Sequence, residues 1–452
     1  MNQPSHLVAI FGGAVSGSEA AYQLSERGIP SVVFDQNILP YGKIEDGLPK
    51  WHSRLRDKEI RRIGEKLSHP LVTFVPEVKL GEDVQFEELA KMGFSATLLA
   101  TGAWRDRPLA IDGIDAFLGK GLVYQNPFIY WYNHKHEPGF SGIADYEIND
   151  GVAIIGGGLA SLDVAKVLMF ELVEKALRER GHEFNMFKLD RSIAKVLDSL
   201  ELTLEDLGIK GCTLYYRRRV KDMPLSPLPA TTPEEKLKAE ATREKILNNY
   251  QSKYLFNMAP NHMPIDKITQ GENLVGLVMQ ETEIVDGRVK PIEGSEKEVH
   301  FPYVVSSIGS IPELISGIPA QGQTYQIEDE VFCRIKNFDH VFALGNAVTG
   351  RGNIKESMVH GREITKNIIE GYLADAEAAA VHEKNEEIQE RIHEAIGSIA
   401  EEVRKNPISE NNHAAIQELV KSFHNKSGYH GDFLKWADEK RPVRLEDLVE
   451  GH

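Results

Sequence analysis

Two glycine-rich turns, each preceded by a short apolar run, are the residues whose types and spacing could do chemistry. The first is Gly12-Gly13-Ala14-Val15-Ser16-Gly17, after His6-Leu7-Val8-Ala9-Ile10-Phe11. The second is Gly156-Gly157-Gly158-Leu159-Ala160-Ser161, after Gly151-Val152-Ala153-Ile154-Ile155. A strand that turns on glycines into a helix lets backbone N–H groups approach a pyrophosphate at the helix's positive end. Glycines at strand ends are also plain turn residues, so either match alone is weak. The residues downstream of each turn add weight. Asp35 closes the strand Ser31-Val32-Val33-Phe34, near the ~20-residue separation of an acid that hydrogen-bonds a ribose 2′-hydroxyl. After the second turn, the strand Cys212 to Tyr216 runs instead into Arg217-Arg218-Arg219. A carboxylate repels a 2′-phosphate, whereas paired guanidiniums grip it bidentately. The first turn therefore suits a plain ribose and the second suits NADP. The bland alternatives are an ordinary turn with a solvated Asp35 and a solvated basic turn at Arg217.

Both turns depart slightly from three glycines. Gly12 and Gly17 fit the first and third positions, with Ala14 at the second, where a methyl group narrows the approach of the pyrophosphate. Gly156 and Gly158 fit the first and second, with Ser161 at the third, small enough for close packing of helix on strand. Two nucleotide sites in one chain imply a relay. One would hold FAD, the other a diffusible NADPH that passes hydride to the isoalloxazine ring.

The elements that must position these residues alternate strand and helix. Glu19 to Arg27 reads as a helix ending at Gly28, and a long helix runs through Leu162, Ala165, Leu168, Met169, Leu172 and Val173. Ala96 to Ala100, Val304 to Ser307 and Val341 to Leu344 read as further strands. The fold class expected is α/β, with two Rossmann-like doubly wound domains and a C-terminal helical extension. The expected boundaries are 1–145 and 326–371 for a split FAD domain, 146–325 for an inserted NADP domain, and 372–452 for the extension. In that extension Ile388, Ile392, Ile396, Ile399 and Val403 share one helical face, and Ile416, Leu419, Val420 and Phe423 mark another helix. A charged helical stretch, about Thr232 to Asn248, lies inside the second unit.

Composition bounds the rest. The 452 residues carry 52 Lys+Arg against 68 Asp+Glu, a formal charge of −16 that repels nucleic acid. No apolar run approaches the ~20 residues of a membrane span, and the N-terminus reads straight into a strand, so no membrane association is expected and the cytoplasm is the expected location. The two cysteines, Cys212 and Cys333, cannot build a disulfide framework, a Cys-x-x-Cys pair or an all-cysteine cluster. No histidine has metal spacing, so no metal is expected, and no side chain stands out as a catalytic acid.

Taken in order, further blocks resemble one family. They are Leu39-Pro40-Tyr41-Gly42, Gly47-Leu48-Pro49, Ala100-Thr101-Gly102-Ala103, Gly156-Gly157-Gly158 with Asp163, and Tyr216-Arg217-Arg218 before Met223-Pro224. Ile308-Gly309-Ser310-Ile311-Pro312 and Ala343-Leu344-Gly345-Asn346-Ala347-Val348-Thr349-Gly350 with Gly361-Arg362 complete the set. Over roughly residues 6 to 370 the chain resembles the FAD- and NADP-dependent flavoproteins that include adrenodoxin-type ferredoxin reductases and the small subunit of NADPH glutamate synthase. The resemblance implies FAD contacts at Gly12, Gly13, Ala14, Gly17, Asp35, Thr101, Gly102, Gly345 and Asn346. The helix starting near Ile354 would point its positive end at the flavin. NADP contacts are implied at Gly156, Gly158, Leu159, Ala160, Arg217 and Arg218, and a further cofactor contact at Gly309. The family usually carries Asp where Asn346 stands; Asn keeps the hydrogen-bonding shape without the charge.

The absent cysteine pair argues against the disulfide-reductase branch of this superfamily, and the iron–sulfur extension of the glutamate-synthase subunit is not seen. Electrons would leave the flavin edge for an outside partner. Three readings are open: a reductase of a small ferredoxin- or flavodoxin-like carrier, the NADPH-oxidising subunit of a larger glutamate-synthase-like complex, or a non-catalytic nucleotide-binding scaffold. The basic residues between Trp51 and Lys66 could steer an acidic carrier, or simply form a solvated helix face. The C-terminal helices could mediate an oligomer.

Overall fold

The computed structural model describes residues 6–142, 146–226, 228, 231–350, 353–373 and 408–449. The chain forms two compact units. The first comprises Met1–Leu48, Ser53–Arg105 and Ser310–Val443; the second comprises Pro49–His52, Asp106–Gly309 and Arg444–His452.

The first unit is built on a five-stranded sheet in the order Val341–Ala343, Ala96–Leu99, Val8–Phe11, Ser31–Phe34, Val72–Val75. Every pairing is parallel, as in the doubly wound dinucleotide-binding half. Parallel strands covered on both faces need apolar residues at every position, because successive side chains point to opposite sides. Val8 and Ile10 accordingly enter one core with Val33, Phe74 and Leu98, while Ala9 and Phe11 enter the other with Val32, Phe34 and Leu99. Helix Val15–Ser25 covers the first face with Ala20, Ala21 and Leu24.

The C-terminal segment is part of this unit's core. Helix Glu410–Ser427 buries Ile416 and Val420 in the second core, with Phe423 packed against it. Tyr429, Phe433 and Trp436 enter the first. Two hydrogen bonds fix the placement: His424 Nε2 donates to Phe74 O at 2.8 Å, and Trp436 Nε1 donates to Ile38 O at 2.9 Å. The apolar stripe at Ile416 and Val420 is thus consumed within the chain. The stripe from Ile388 to Val403 lies outside the described residues.

The second unit repeats the plan. Its sheet runs Leu122–Tyr124, Val304–Ser307, Ala153–Gly156, Thr213–Tyr216, Asn257–Pro260, again all parallel. Helix Leu159–Glu179 buries Leu162, Ala165, Leu168, Met169, Leu172 and Val173 in one core, the periodic positions of its sequence. The charged stretch is helix Pro233–Tyr254, opened by a capping box in which Thr232 and Glu235 satisfy each other's backbone N–H groups. An antiparallel excursion, His262–Gln270, Asn273–Val285, Arg288–Pro291 and Lys297–His300, precedes the return to the sheet. The architecture is therefore the expected α/β pair of doubly wound units. No helix among the described residues is long and apolar enough to cross a membrane.

Candidate functional site

Each unit gathers its candidate residues at the carboxyl ends of its parallel strands, where open α/β sheets bind ligands. In the first unit the chain leaves Phe11 and turns at Gly12, whose φ is +98°. A Cβ there would fall 2.4 Å from Ala100 O, and one on Gly17 would fall 1.7 Å from Gly12 O. No side chain can be added at either position without displacing backbone. Ala14 stands at the N-cap of helix Val15–Ser25, half-exposed, and makes no side-chain cap.

Asp35 is drawn into this turn. Its Oδ2 accepts the Gly13 N–H at 2.7 Å and its Oδ1 accepts the Asn37 N–H at 2.9 Å. The residue is only 5% exposed. Burial pushes its carboxyl up to about 6, against the two backbone hydrogen bonds that favour the charged form. A carboxylate has about four lone-pair sites, so two acceptor positions remain for a ribose hydroxyl. Gly13, by contrast, has its N–H turned to Asp35 rather than to a phosphate.

The other first-unit candidates meet the same end of the sheet. Thr101 and Gly102 are half-buried just beyond the strand Ala96–Leu99. Gly345, with φ +59°, is packed so that a Cβ would fall 2.7 Å from both Ser16 Oγ and Ser357 Oγ. Asn346 starts the short helix Asn346–Thr349 and accepts the Thr349 hydroxyl at 3.4 Å. Ile354 is the first residue of helix Ile354–Ile368, with Asn353 as its side-chain cap. The structure thereby joins Gly12, Gly17, Gly345 and the helix after Asn353 around Ser16.

In the second unit Gly158 is the N-cap of helix Leu159–Glu179, and nothing lies within 4 Å of where its Cβ would be. That open face leaves room for a phosphate. Gly157 lies under the ring of Tyr216, which a Cβ would meet at 2.2 Å. Ser161, at the third turn position, donates its hydroxyl to Ser307 O at 3.1 Å and lies equally close to Ser307 Oγ. Leu159 is 49% exposed and Ala160 half-buried at the start of the helix. Gly309 is exposed in open space past the strand Val304–Ser307.

The three arginines separate into two kinds. Arg219 forks onto Asp222, with Nε and Nη2 each 2.8 Å from a carboxylate oxygen. Arg217 and Arg218 lend only their carbonyls, to the Thr282 hydroxyl and the Asn261 N–H. Their guanidiniums make no hydrogen bond or ion pair among the described residues.

Both turns pass a chemical test for a dinucleotide. Neither glycine helix has a side-chain cap or an acidic residue in its first turn. Helices Pro233–Tyr254, Ile354–Ile368 and Glu410–Ser427, by comparison, are capped by Thr232, Asn353 and Ser409. The two uncapped ends leave backbone donors for an anion.

Sequence reasoning missed three groups. His360 accepts the Gly345 N–H through Nδ1 at 3.0 Å, with Nε2 3.8 Å from Cys333 Sγ; burial lowers its pKa, which keeps the accepting ring neutral. Only its position fifteen residues beyond the glycine carried that information. His52 Nε2 lies 3.9 Å from Asp163 Oδ1 in the second unit. Arg243, in helix Pro233–Tyr254, donates from Nη1 to Lys221 O at 3.0 Å, beside the arginine turn. Both cysteines are buried free thiols, pushed by burial up to about 12. Among the described residues no group of three or more His, Cys, Asp or Glu side chains could hold a metal ion.

No protein-family model matches the chain. In sequence it is 29% identical over 261 residues to the mitochondrial NADPH:adrenodoxin oxidoreductase of Arabidopsis thaliana, covering 54% of this chain and 51% of that protein. It is 24% identical over 375 residues to the glutamate synthase [NADPH] small chain of Bacillus subtilis, covering 80% of this chain and 66% of the relative. The chain thus spans about half to two thirds of these relatives' lengths. In structure it is similar to FprA, a Mycobacterium tuberculosis oxidoreductase whose structure revealed a covalent modification of NADP+. The TM-score is 0.67 at 19% identity, over 94% of this chain and 91% of FprA. The resemblance read from short motifs thus extends to the fold: the chain is similar in sequence to the NADPH:adrenodoxin oxidoreductase and to the glutamate synthase small chain, and in fold to FprA.

Proposed function

We propose that the chain is an NADPH-dependent flavoprotein oxidoreductase, with FAD held by the first unit and NADPH by the second. The observation that carries the reading is the opposite charge at equivalent strand ends. One end has the Asp35 carboxylate; the other has the Arg217 and Arg218 guanidiniums, which form no ion pair among the described residues. The relatives' names support it, since two are NADPH-dependent enzymes.

In this reading each residue is assigned a task that its placement supports. The N-terminus of helix Val15–Ser25, beside Gly12, Ala14 and Gly17, would receive the FAD pyrophosphate, with Asp35 accepting from its ribose. Asn346 would bring its backbone N–H and its amide to the flavin side, with Gly345, whose own N–H is taken by His360, setting the turn before it and helix Ile354–Ile368 directing its positive end there. Gly156, Gly158, Leu159 and Ala160 would receive the NADPH pyrophosphate, and Arg217 and Arg218 its 2′-phosphate. When bound, FAD supplies the chemistry of accepting a hydride and releasing electrons singly.

The acceptor in this reading is a small acidic redox carrier of the ferredoxin or flavodoxin kind. Arg54, Lys58 and Arg61 are exposed on helix Ser53–Leu67 and make no ion pair among the described residues. Arg62 and Lys66 are occupied by Glu59 and Glu19. A second reading, a subunit that feeds a partner enzyme, is favoured by the alignment with the glutamate synthase small chain over 80% of this chain. A cytoplasmic setting belongs to both.

The test is spectroscopic. The purified protein, as isolated or after incubation with FAD, should show flavin absorbance that NADPH bleaches anaerobically and NADH bleaches far more slowly. A protein that stays colourless after FAD incubation refutes the reading. Reoxidation by added ferredoxin, or its absence, then separates the two partners.

A further inference from the structure

Arg243, in the second unit, carries chemistry that the proposed function does not use. It sits in helix Pro233–Tyr254, far along the chain from the arginine turn, yet its Nη1 donates to Lys221 O at 3.0 Å. Its Nε is buried and has no hydrogen-bond partner. Leaving a buried N–H of a guanidinium without an acceptor is costly, and such a group is a place to look for a ligand.

The surrounding charges point the same way. Of the cations on this turn, Arg219 is neutralised by Asp222, and Lys221 lies 3.4 Å from Glu240. Arg217, Arg218 and Arg243 form no ion pair among the described residues, although Arg218 also feels the Asp222 carboxylate that Arg219 holds. All three act on Tyr216 by their charge: burial and the Asp222 carboxylate raise the pKa of its hydroxyl, and Arg218, Arg217 and Arg243 pull it back. The Tyr216 ring in turn lies over Gly157, on the second glycine turn. Three surplus positive charges therefore gather beside the dinucleotide turn of a protein whose net charge is −16. A phosphate monoester, carrying ~1.5 to 2 negative charges near neutral pH, is the ligand such a surplus fits.

We infer that Arg243 is a third arm of the 2′-phosphate clamp, contributed by the inserted helix, so that preference for NADPH over NADH depends on a residue outside the strand-end arginines. The inference rests on the NADPH reading above and adds to it a specificity-determining side chain. The Lys221 carbonyl anchors one end of the guanidinium, and the unpartnered Nε supplies a donor for a phosphate oxygen.

The experiment is calorimetric titration of the full-length protein with 2′,5′-ADP and, separately, with 5′-ADP, which lacks the 2′-phosphate. Wild type, Arg243→Gln and Arg243→Lys are compared, with thermal midpoints recorded for each. Loss of one charge-assisted contact should weaken 2′,5′-ADP by ~10-fold or more in R243Q and leave 5′-ADP unchanged. R243K, which keeps the charge but not the fork, should recover part of the loss. The KM for NADPH should rise with kcat held, because the contact is made equally in ground and transition states. If R243Q weakens both nucleotides alike, the residue only ties helix to turn and the inference fails. If wild type prefers 2′,5′-ADP and R243Q keeps that preference, the inference fails while the NADPH reading stands. If wild type itself shows no preference, both fall.

Discussion

The two glycine turns carry groups of opposite charge, and the molecule holds those groups in different ways. Asp35 is part of the turn it serves: one oxygen fixes Gly13, the other fixes Asn37, and the carboxyl is buried. Arg217 and Arg218 contribute nothing to their own turn except backbone carbonyls. The acid is thus both scaffold and candidate ligand contact, whereas the arginines are candidate ligand contacts alone. A second contrast lies at the third turn position. Gly17 is pressed so closely onto Gly12 O that only hydrogen fits, while Ser161 has room for a hydroxyl that ties helix Leu159–Glu179 to Ser307. At the third position, therefore, one turn is closed by backbone packing and the other by a side-chain hydrogen bond.

That difference predicts the largest effect. Gly17→Ala should destabilise the first unit by ~3 kcal/mol, because the clash is with backbone that cannot rotate away. Ser161→Ala, the same final residue at the matching position, should cost only ~1 kcal/mol for the lost hydroxyl contacts. Thermal denaturation with flavin content as a second readout checks both. Equal losses would mean that the two turns are held alike.

The next effect is in binding alone. Replacing Arg217 and Arg218 together by Ala should weaken NADPH by ~100-fold, leave NADH nearly unaffected, and leave the thermal midpoint where it was. A large fall in midpoint would show that these side chains are structural after all, and would erase the contrast with Asp35.

The same contrast explains how much of the molecule is legible in its sequence. Glycine turns, strands such as Val8–Phe11 and the helix through Leu162 and Val173 are local patterns, and local steric rules decide them. The charge swap between Asp35 and Arg217 was legible because both come directly after their strands. The features that were not legible depend on distant partners. Nothing in Leu122-Val123-Tyr124 says that it will pair with Val304–Ser307, and although Tyr429, Phe433 and Trp436 are spaced four and three apart as on a helix, nothing local says that the first sheet is what they bury against. The strand His262–Gln270 is mostly polar and interrupted by Pro264, so no apolar pattern marked it. Arg243 is one charge among many on its helix, and His360 becomes informative only once Gly345 is beside it.

The smallest and most specific effect concerns pH. Asp35 has its pKa raised by burial from 3.8 to about 6, despite the opposing hydrogen bonds from Gly13 and Asn37. The folded state therefore holds the Asp35 proton more tightly than the unfolded chain does. Its contribution to stability is full below pH ~4 and is lost as pH rises through ~6, amounting to ~3 kcal/mol at most from ~1.4 kcal/mol per pKa unit. Glu19 in the same unit behaves oppositely: burial raises its pKa, but Arg362 and Lys66 overcome that and lower it, so its contribution is lost as pH falls. The two trends mask each other in a simple pH scan. Subtracting the stability of Asp35→Asn from that of wild type, by urea denaturation across this range, isolates the first. The difference should decline with rising pH and then level off. A flat difference would mean that Asp35 is ionised at little cost, no more embedded in its turn than the arginines are in theirs.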